Sequence, residues 1–159
     1  IGLEAAGKLV VGVVHDPIRK ETFSAAAGGG AWCNSTALHV TGCPDLSDAL
    51  LSVGLPADME KVPDALGCFE RLSKSARSLR RMGSAALSLA YVAAGRLDGY
   101  WAHHVHPWDA AGGIVLVREA GGIATNFGSS EYSIDRRDLT ASNGLIHDAL
   151  QRSLQQGLR

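Results

Sequence analysis

The sequence HPWDAAGG at residues 106–113, closed by EAGG at residues 119–122, decides the fold class because it marks a tightly packed helix with a carboxylate at its start. Pro107 suits a first helical turn, where its missing N–H is not needed, and Asp109 faces the positive end of the helix dipole. The run Ala110–Gly113 has almost no side-chain volume, so another backbone can approach it closely, although such a helix is intrinsically weak. The pattern predicts a helix over residues 107–120, with close packing or a metal or phosphate site as the reason for its composition.

The composition limits the classes of function. With 159 residues, 46% of them hydrophobic and 19% charged, we expect a single globular domain over residues 1–159. A formal charge of −1 argues against broad binding to nucleic acid and favours a small partner. The sequence contains neither an apolar stretch long enough to cross a bilayer nor the layout of a signal peptide, so we expect a cytoplasmic protein that does not enter membranes. Three cysteines without CxxC spacing are expected to be reduced thiols, most simply in the core: Cys33, Cys43 and Cys68.

Strand-like and helix-like segments alternate along the chain, which predicts an α/β or layered αβ protein. A leading hairpin, Lys8–His15 returning through Glu21–Ala27, shows that the sheet is not purely parallel. Further strands are predicted over residues 37–40, 49–53, 78–82, 97–104, 123–126 and 140–142, and helices over residues 63–74, 84–94, 107–120 and 146–156.

A second helix start, at Gly83-Ser84-Ala85, offers unpaired backbone N–H groups to an anionic or hydroxylated ligand. Ser84 is the expected cap, and capping alone explains the motif equally well. If this start and that of Asp109 face one cleft, they form a binding site. Arg80 and Arg81 could add positive charge, but strand alternation would direct only one of them inward.

Several other polar residues have simple structural interpretations beside functional ones. On a strand, His104 and His106 would point to the same face and with His103 suggest zinc, but no ligand of suitable spacing completes the site. For Glu119, a helix-surface charge explains the residue as well as a functional role does, and Asp98 is most simply a turn residue. The run GGG at residues 28–30 lacks the lysine and following helix of a P-loop, which favours a flexible turn.

Three motifs together resemble the inositol monophosphatase family. They are GSAA at residues 83–86, AAGRLDGY at residues 93–100, and PWDAAG at residues 107–112 continuing to EAGG at residues 119–122. The hairpin around HDP at residues 15–17 and the stretch GAWCN at residues 30–34 are similar to that family in the same order. The resemblance therefore extends over nearly the whole chain.

The resemblance implies a layered αβαβα phosphatase that uses Mg²⁺ to hydrolyse a small phosphate monoester such as inositol 1-phosphate, and that is often sensitive to lithium. Asp109 would be a metal ligand and contact substrate, because Mg²⁺ prefers hard oxygen ligands. Gly83, Ser84 and Ala85 would line the substrate pocket, and no separate catalytic side chain is assigned in this chain. The partners implied are a phosphorylated polyol or sugar and a second copy of the chain, in a cytoplasmic homodimer.

The sequence departs from the family pattern in two places. It contains neither the earlier Glu nor the Asp-Pro-x-Asp-Gly-Thr signature that supply the other metal ligands, so it looks like the C-terminal part of the enzyme. At Ala102, many relatives carry a Glu that binds the hydroxyl groups of a sugar or inositol. Ala102 cannot accept a hydrogen bond, so we expect a substrate preference different from that for inositol phosphate.

Two further hypotheses remain open at this point. The missing carboxylates favour a catalytically inactive remnant that serves as a binding or dimerisation module. A zinc-binding domain built on the histidines of residues 103–106 is the weakest reading.

Overall fold

The computed structural model describes residues 1–56 and 64–155, which form two five-stranded sheets and four α-helices. The strands are β1 (Gly2–Ala5), β2 (Lys8–Asp16), β3 (Glu21–Ala26), β4 (Ala31–Cys33), β5 (Thr36–Ala37), β6 (Leu50–Gly54), β7 (Ser78–Arg80), β8 (Gly99–Ala102), β9 (Ile123–Thr125) and β10 (Leu139–Ser142). The helices are α1 (Ala65–Ser75), α2 (Ala85–Ala93), α3 (Pro107–Glu119) and α4 (His147–Gln155).

The first sheet is an antiparallel meander in the order β1-β2-β3-β4-β5, and the second is mixed in the order β7-β6-β8-β10-β9. In the second sheet, β6 runs parallel to both β7 and β8, whereas β10 is antiparallel to β8 and β9. The layered α/β class and the mixed sheet are thus confirmed. The prediction missed β1 and β4 and did not separate the strands into two sheets.

The second sheet separates two hydrophobic clusters. On one face, α2 and α3 pack between the two sheets, and on the other face α1 and α4 pack against each other. The side chains of β8 alternate accordingly: Tyr100 and Ala102 join the first cluster, whereas Trp101 is buried in the second. None of the four helices described is long and apolar enough to cross a membrane.

The small residues of α3 are explained by close backbone contacts. A side chain at Gly113 would overlap Leu89 of α2, and one at Gly12 of β2 would overlap the carbonyl group of Gly112. Helix α3 therefore packs against a strand on one side and a helix on the other at distances that only glycine allows. Close packing, which the sequence offered as one reason for this composition, is confirmed.

The predicted boundaries shift where the chain leaves a sheet. Strand β8 ends at Ala102 rather than His104, because the N–H of Val105 pairs with the carbonyl of Arg137 instead. Strand β5 ends at Ala37, and the N–H of Val40 binds the carbonyl of Ala120 at the end of α3. The residues predicted to flank two helices, Pro63 and those from Gln156 onward, lie outside the described residues.

Two carboxylates that the sequence assigned to the surface or to a turn hold the fold together. Glu119 accepts hydrogen bonds from the N–H groups of Gly28 (3.0 Å) and Gly30 (2.9 Å), so it fixes the glycine loop. Asp98 is buried and accepts from the Thr41 hydroxyl (2.5 Å) and the Leu50 N–H (2.7 Å). Sequence reasoning did not find these contacts, because the partners lie at least 48 residues away in sequence.

Candidate active site

A cavity of about 400 Å³ lies where the parallel strands β6 and β8 end and the helices α2 and α3 begin. Its lining comes from the segment after β6, the start of α2, the segment after β8 and the first turn of α3. In open α/β sheets, ligands bind at the carboxyl ends of parallel strands, and helix starts attract anions. The predicted site residues Gly83, Ser84, Ala85 and Asp109 all line this cavity.

The start of α2 is shaped by Ser84 and Gly83. Gly83 has a φ of 81°, a left-handed conformation that glycine adopts without strain. Ser84 caps the helix, with its hydroxyl oxygen accepting from the N–H of Leu87 at 3.2 Å, as the sequence predicted. The remaining N–H groups of the first turn have no acceptor within the helix and are available to an anion.

The turn is held in place by a chain of serine hydroxyls that sequence reasoning missed. The Ser88 hydroxyl contacts the carbonyl of Ser84 at 2.8 Å and the hydroxyl of Ser52 in β6 at 3.0 Å. The spacing of four residues, which places Ser84 and Ser88 on one face of the helix, was the available signal. The contacts connect the start of α2 to the neighbouring strand.

Asp109 lies in the first turn of α3 and its side chain is exposed. Its backbone N–H binds the carbonyl of His106 at 3.0 Å, and Pro107 occupies the first turn as predicted. Burial raises the pKa of the Tyr100 phenol, and the charge of Asp109 raises it further. Tyr100 therefore stays protonated beside the Asp109 carboxylate and can donate a hydrogen bond into the cavity.

The floor of the cavity leaves no room for another side chain at Gly54. A Cβ there would lie 2.5 Å from the Tyr100 hydroxyl oxygen and 2.8 Å from the Ala102 methyl. Ala102 is buried and lines the cavity.

The two adjacent arginines lie in different surroundings, and strand alternation does not explain this because β7 ends at Arg80. Arg81 lines the cavity, whereas the Arg80 guanidinium binds the Ser78 hydroxyl and the Leu79 carbonyl outside it. The start of α2 thus has a guanidinium on one side and the Asp109 carboxylate on the other.

The described side chains do not by themselves form a magnesium site. In residues 1–56 and 64–155, no three His, Cys, Asp or Glu residues lie close enough together to hold a metal ion. Asp109 is the one carboxylate among the described residues that line the cavity. A single carboxylate binds Mg²⁺ only weakly.

The zinc reading is contradicted by the positions of the histidines. His103 packs edge-on against Trp101 and Phe127, while His106 stacks on Trp108 with ring centroids 4.5 Å apart. His104 has a φ of 55°, so it leaves the strand geometry that would have aligned it with His106. The part of the chain that the structure describes contains no zinc cluster at these residues.

A larger cavity of about 790 Å³ opens elsewhere, between the β1–β2 turn and residues 130–135. It is lined by none of the residues that the sequence singled out for binding. We favour the smaller cavity as the candidate site because two helix starts and a carboxylate converge on it.

Comparison with known proteins agrees with this geometry. A sequence profile of the inositol monophosphatase family matches residues 1–159. The inositol-1-monophosphatase of Synechocystis sp. is 41% identical over 155 residues, which are 97% of this chain and 54% of that protein. The Nus factor SuhB of Pseudomonas aeruginosa is 37% identical over 161 residues, covering 99% of this chain and 59% of that protein.

Solved structures give the same result. The inositol monophosphatase of Anabaena (Nostoc) superposes with a TM-score of 0.93 at 42% sequence identity, covering 98% of this chain and 64% of that one. The chain therefore spans only about three fifths of the length of the proteins that it matches. The match over all 159 residues and the shared fold show that this chain belongs to the inositol monophosphatase family.

Proposed function

We propose that this chain forms part of a Mg²⁺-dependent phosphatase that hydrolyses a small phosphate monoester such as inositol 1-phosphate. The observation that carries the proposal is the convergence of the Ser84-capped start of α2 and Asp109 of α3 on one cavity. Family membership supports hydrolysis of a phosphate ester, since relatives bear the name inositol-1-monophosphatase.

In this proposal the backbone N–H groups at Gly83–Ala85 bind oxygens of the phosphate group, because amides at a helix start carry partial positive charge. The Tyr100 hydroxyl stays protonated and donates a hydrogen bond to a bound ester. Asp109 would hold Mg²⁺ through a carboxylate oxygen, and the metal would supply positive charge to the phosphate group. Since the described residues contain no group of three His, Cys, Asp or Glu that could hold a metal ion, the proposal includes carboxylate ligands beyond the described residues.

The test is a chimera in which this chain replaces the matching region of the Anabaena inositol monophosphatase. We expect Mg²⁺-dependent phosphate release from inositol 1-phosphate, and a loss of at least about 100-fold for Asp109→Asn. Asp148→Asn is the matched control, because Asp148 is also exposed in a first helical turn but lies away from this cavity. A folded chimera without phosphate release, or equal activity of both variants, would contradict the proposal.

The oligomeric state, the location in the cell and the partners belong to the same proposal. We infer a homodimer in the cytoplasm, with a phosphorylated polyol or sugar as partner and no direct binding of nucleic acid. Sedimentation of the purified chain tests the dimer. The similarity to a protein named Nus factor SuhB makes an RNA-binding assay the direct test of the last inference.

A further inference from the structure

Two buried hydroxyl groups meet behind the start of α2. Ser52 of β6 is 0% exposed and Ser88 of α2 is 1% exposed, and their hydroxyl oxygens lie 3.0 Å apart. The Ser88 hydroxyl also lies 2.8 Å from the carbonyl oxygen of Ser84, which can only accept. Because a hydroxyl has a single hydrogen, Ser88 donates to Ser84 and accepts from Ser52. The direction of the hydrogen-bond chain is therefore fixed from the strand to the helix start.

The bond from a serine to the carbonyl one turn earlier is not by itself informative. Ser153 of α4 makes the same contact with the carbonyl of Ala149 at 3.0 Å, as serines within helices often do. Ser88 differs because its acceptor belongs to the residue that caps α2 beside the cavity, and because a strand hydroxyl donates to it. Burying two hydroxyls in place of two alanines gains little stability, so packing alone does not account for the pair.

The Ser84 carbonyl belongs to the first peptide unit of α2. It shares this unit with the N–H of Ala85, and in a trans peptide the two groups point in opposite directions. The carbonyl points along the helix, where it accepts from both the N–H (3.0 Å) and the hydroxyl (2.8 Å) of Ser88. The Ala85 N–H therefore points out of the helix start, and Ala85 lines the cavity there. Whatever holds the carbonyl also holds the direction of this donor.

A helix start that follows a glycine gains from such a restraint. Gly83 has a left-handed φ of 81° and few backbone restrictions, and the terminal turns of helices fray. Donors stabilise charge most strongly when they are held in place beforehand, because no reorganisation is then needed. Hydrogen bonds in a chain also polarise one another, so donation to the Ser84 carbonyl makes the Ala85 N–H a stronger donor.

We propose that Ser88, supported by Ser52, is a positioning residue of the candidate active site. Its hydroxyl fixes the Ser84–Ala85 peptide so that the Ala85 N–H donates to an oxygen of the phosphate group. The Ser88 hydrogen is given to Ser84, so Ser88 acts on the ester through the backbone. The inference rests on the proposed function for the presence of a phosphate group at Gly83–Ala85.

A double substitution separates this role from a merely structural one. Ser88→Ala removes the partner of the buried Ser52 hydroxyl and should lower the midpoint of urea unfolding. Ser52→Ala combined with Ser88→Ala removes both hydroxyls and should restore most of the midpoint, because replacing both partners is nearly neutral. In the Anabaena chimera, both variants should nevertheless lower kcat/KM for inositol 1-phosphate by about 10-fold. Recovery of kcat/KM together with the midpoint would overturn the inference.

Ser153→Ala is the matched control. It removes the same type of bond from α4, outside the cavity, and should change kcat/KM by less than about 2-fold. A loss in this variant equal to that in Ser88→Ala would also overturn the inference.

A spectroscopic signature of the peptide unit is measured on this chain without a ligand. The amide nitrogen resonance of Ala85 reports hydrogen bonding at the Ser84 carbonyl, which belongs to the same peptide unit. It should move to lower frequency in Ser88→Ala and in the double variant, and stay in place in Ser153→Ala. An unmoved Ala85 resonance in Ser88→Ala would overturn the inference.

The positioning role and the proposed function fail in different ways. A shifted Ala85 resonance together with a folded but inactive chimera would refute the proposed function and leave Ser88 as the residue that fixes this peptide. An active chimera whose kcat/KM does not respond to Ser88→Ala would overturn the positioning role and leave the proposed function intact.

Discussion

Gly12 and Gly112 face each other across the contact between β2 and α3, with the Gly112 carbonyl oxygen in the space that a side chain on Gly12 would need. The same helix carries Asp109 at its start, one turn before Gly112. The glycine pair therefore sets how closely α3 approaches the first sheet and, through the helix, where the Asp109 carboxylate lies.

Gly12→Ala should destabilise the protein by about 2–3 kcal/mol, because the added methyl collides with helix backbone that cannot change rotamer. Gly42→Ala is the control, since a Cβ at Gly42 meets no atom within 4 Å. Removing a glycine from open chain is neutral or slightly stabilising. Urea unfolding of both variants measures the difference, and equal midpoints would refute the close contact.

Glu119→Gln should lower the free energy of unfolding by about 1.5–3 kcal/mol. The carboxylate accepts from both Gly28 and Gly30, and a neutral amide can accept through only one oxygen. We also expect faster amide hydrogen exchange at residues 28–30. Glu131→Gln, at an exposed side chain without a hydrogen-bond partner among the described residues, serves as control. Unchanged exchange in Glu119→Gln would show that the loop does not depend on this carboxylate.

The buried imidazole of His147 should lower the free energy of unfolding as the pH falls from 7 to 5. Both ring nitrogens contact hydroxyls, Thr125 at 3.0 Å and Ser142 at 2.9 Å, and burial lowers the pKa of His147. The unfolded chain therefore binds a proton near pH 6.5 that the folded protein resists. The contribution of neutral His147 to the free energy of unfolding is fully present above that pH. It decreases on acidification by at most about 1.4 kcal/mol per pH unit, the value for one proton.

Urea titrations at half-unit pH steps test this sign. Burial also lowers the pKa of His103, so His147→Gln should reduce the slope without abolishing it. Paired carboxylates such as Asp64 contribute only below this window, because Arg71 lowers a carboxyl pKa that is already near 4. An unchanged slope in His147→Gln would contradict the assignment.

Cys68 should be the least reactive of the three thiols. Its side chain is buried, and burial together with the neighbouring Asp64 raises the pKa of Cys68 to about 12. Cys33 and Cys43 are half-buried, and all three are free thiols. A chromogenic disulfide reagent should label Cys33 and Cys43 in the native protein and Cys68 only after denaturation. Cys68→Ala should leave the native reaction unchanged; a loss of native labelling would refute the prediction.

Local patterns were sufficient to predict the helices near the candidate site. Ser84 caps α2 and Pro107 begins α3 because capping and backbone restriction act within one turn of the chain. Strand β8 was predicted too long, because periodicity does not show that Val105 takes its partner from Arg137. The prediction for β5 failed in the same way, since Val40 pairs with the end of α3.

The candidate site was predicted in its components but not in its arrangement. The sequence singled out Gly83–Ala85 and Asp109 because helix starts have recognisable chemistry, and it missed Ser88 and Tyr100, whose residue types alone do not indicate a site. The hydrogen-bond partners of Glu119 and Asp98 were not predicted, because a carboxylate looks the same in sequence whether or not it accepts from a distant backbone amide.

The sequence by itself determined the α/β class and the family, because the order of segments and the motifs can be read along the chain. It also determined the capped helix starts and the small-residue helix that packs closely, because these depend on interactions within a few residues. Only the tertiary structure decided that the strands form two sheets, that α2 and α3 lie between them, and that Asp109, Arg81 and the Gly83 turn line one cavity. These relations depend on contacts between segments far apart in the chain, whose free energies arise from burial and packing after collapse rather than from any local preference.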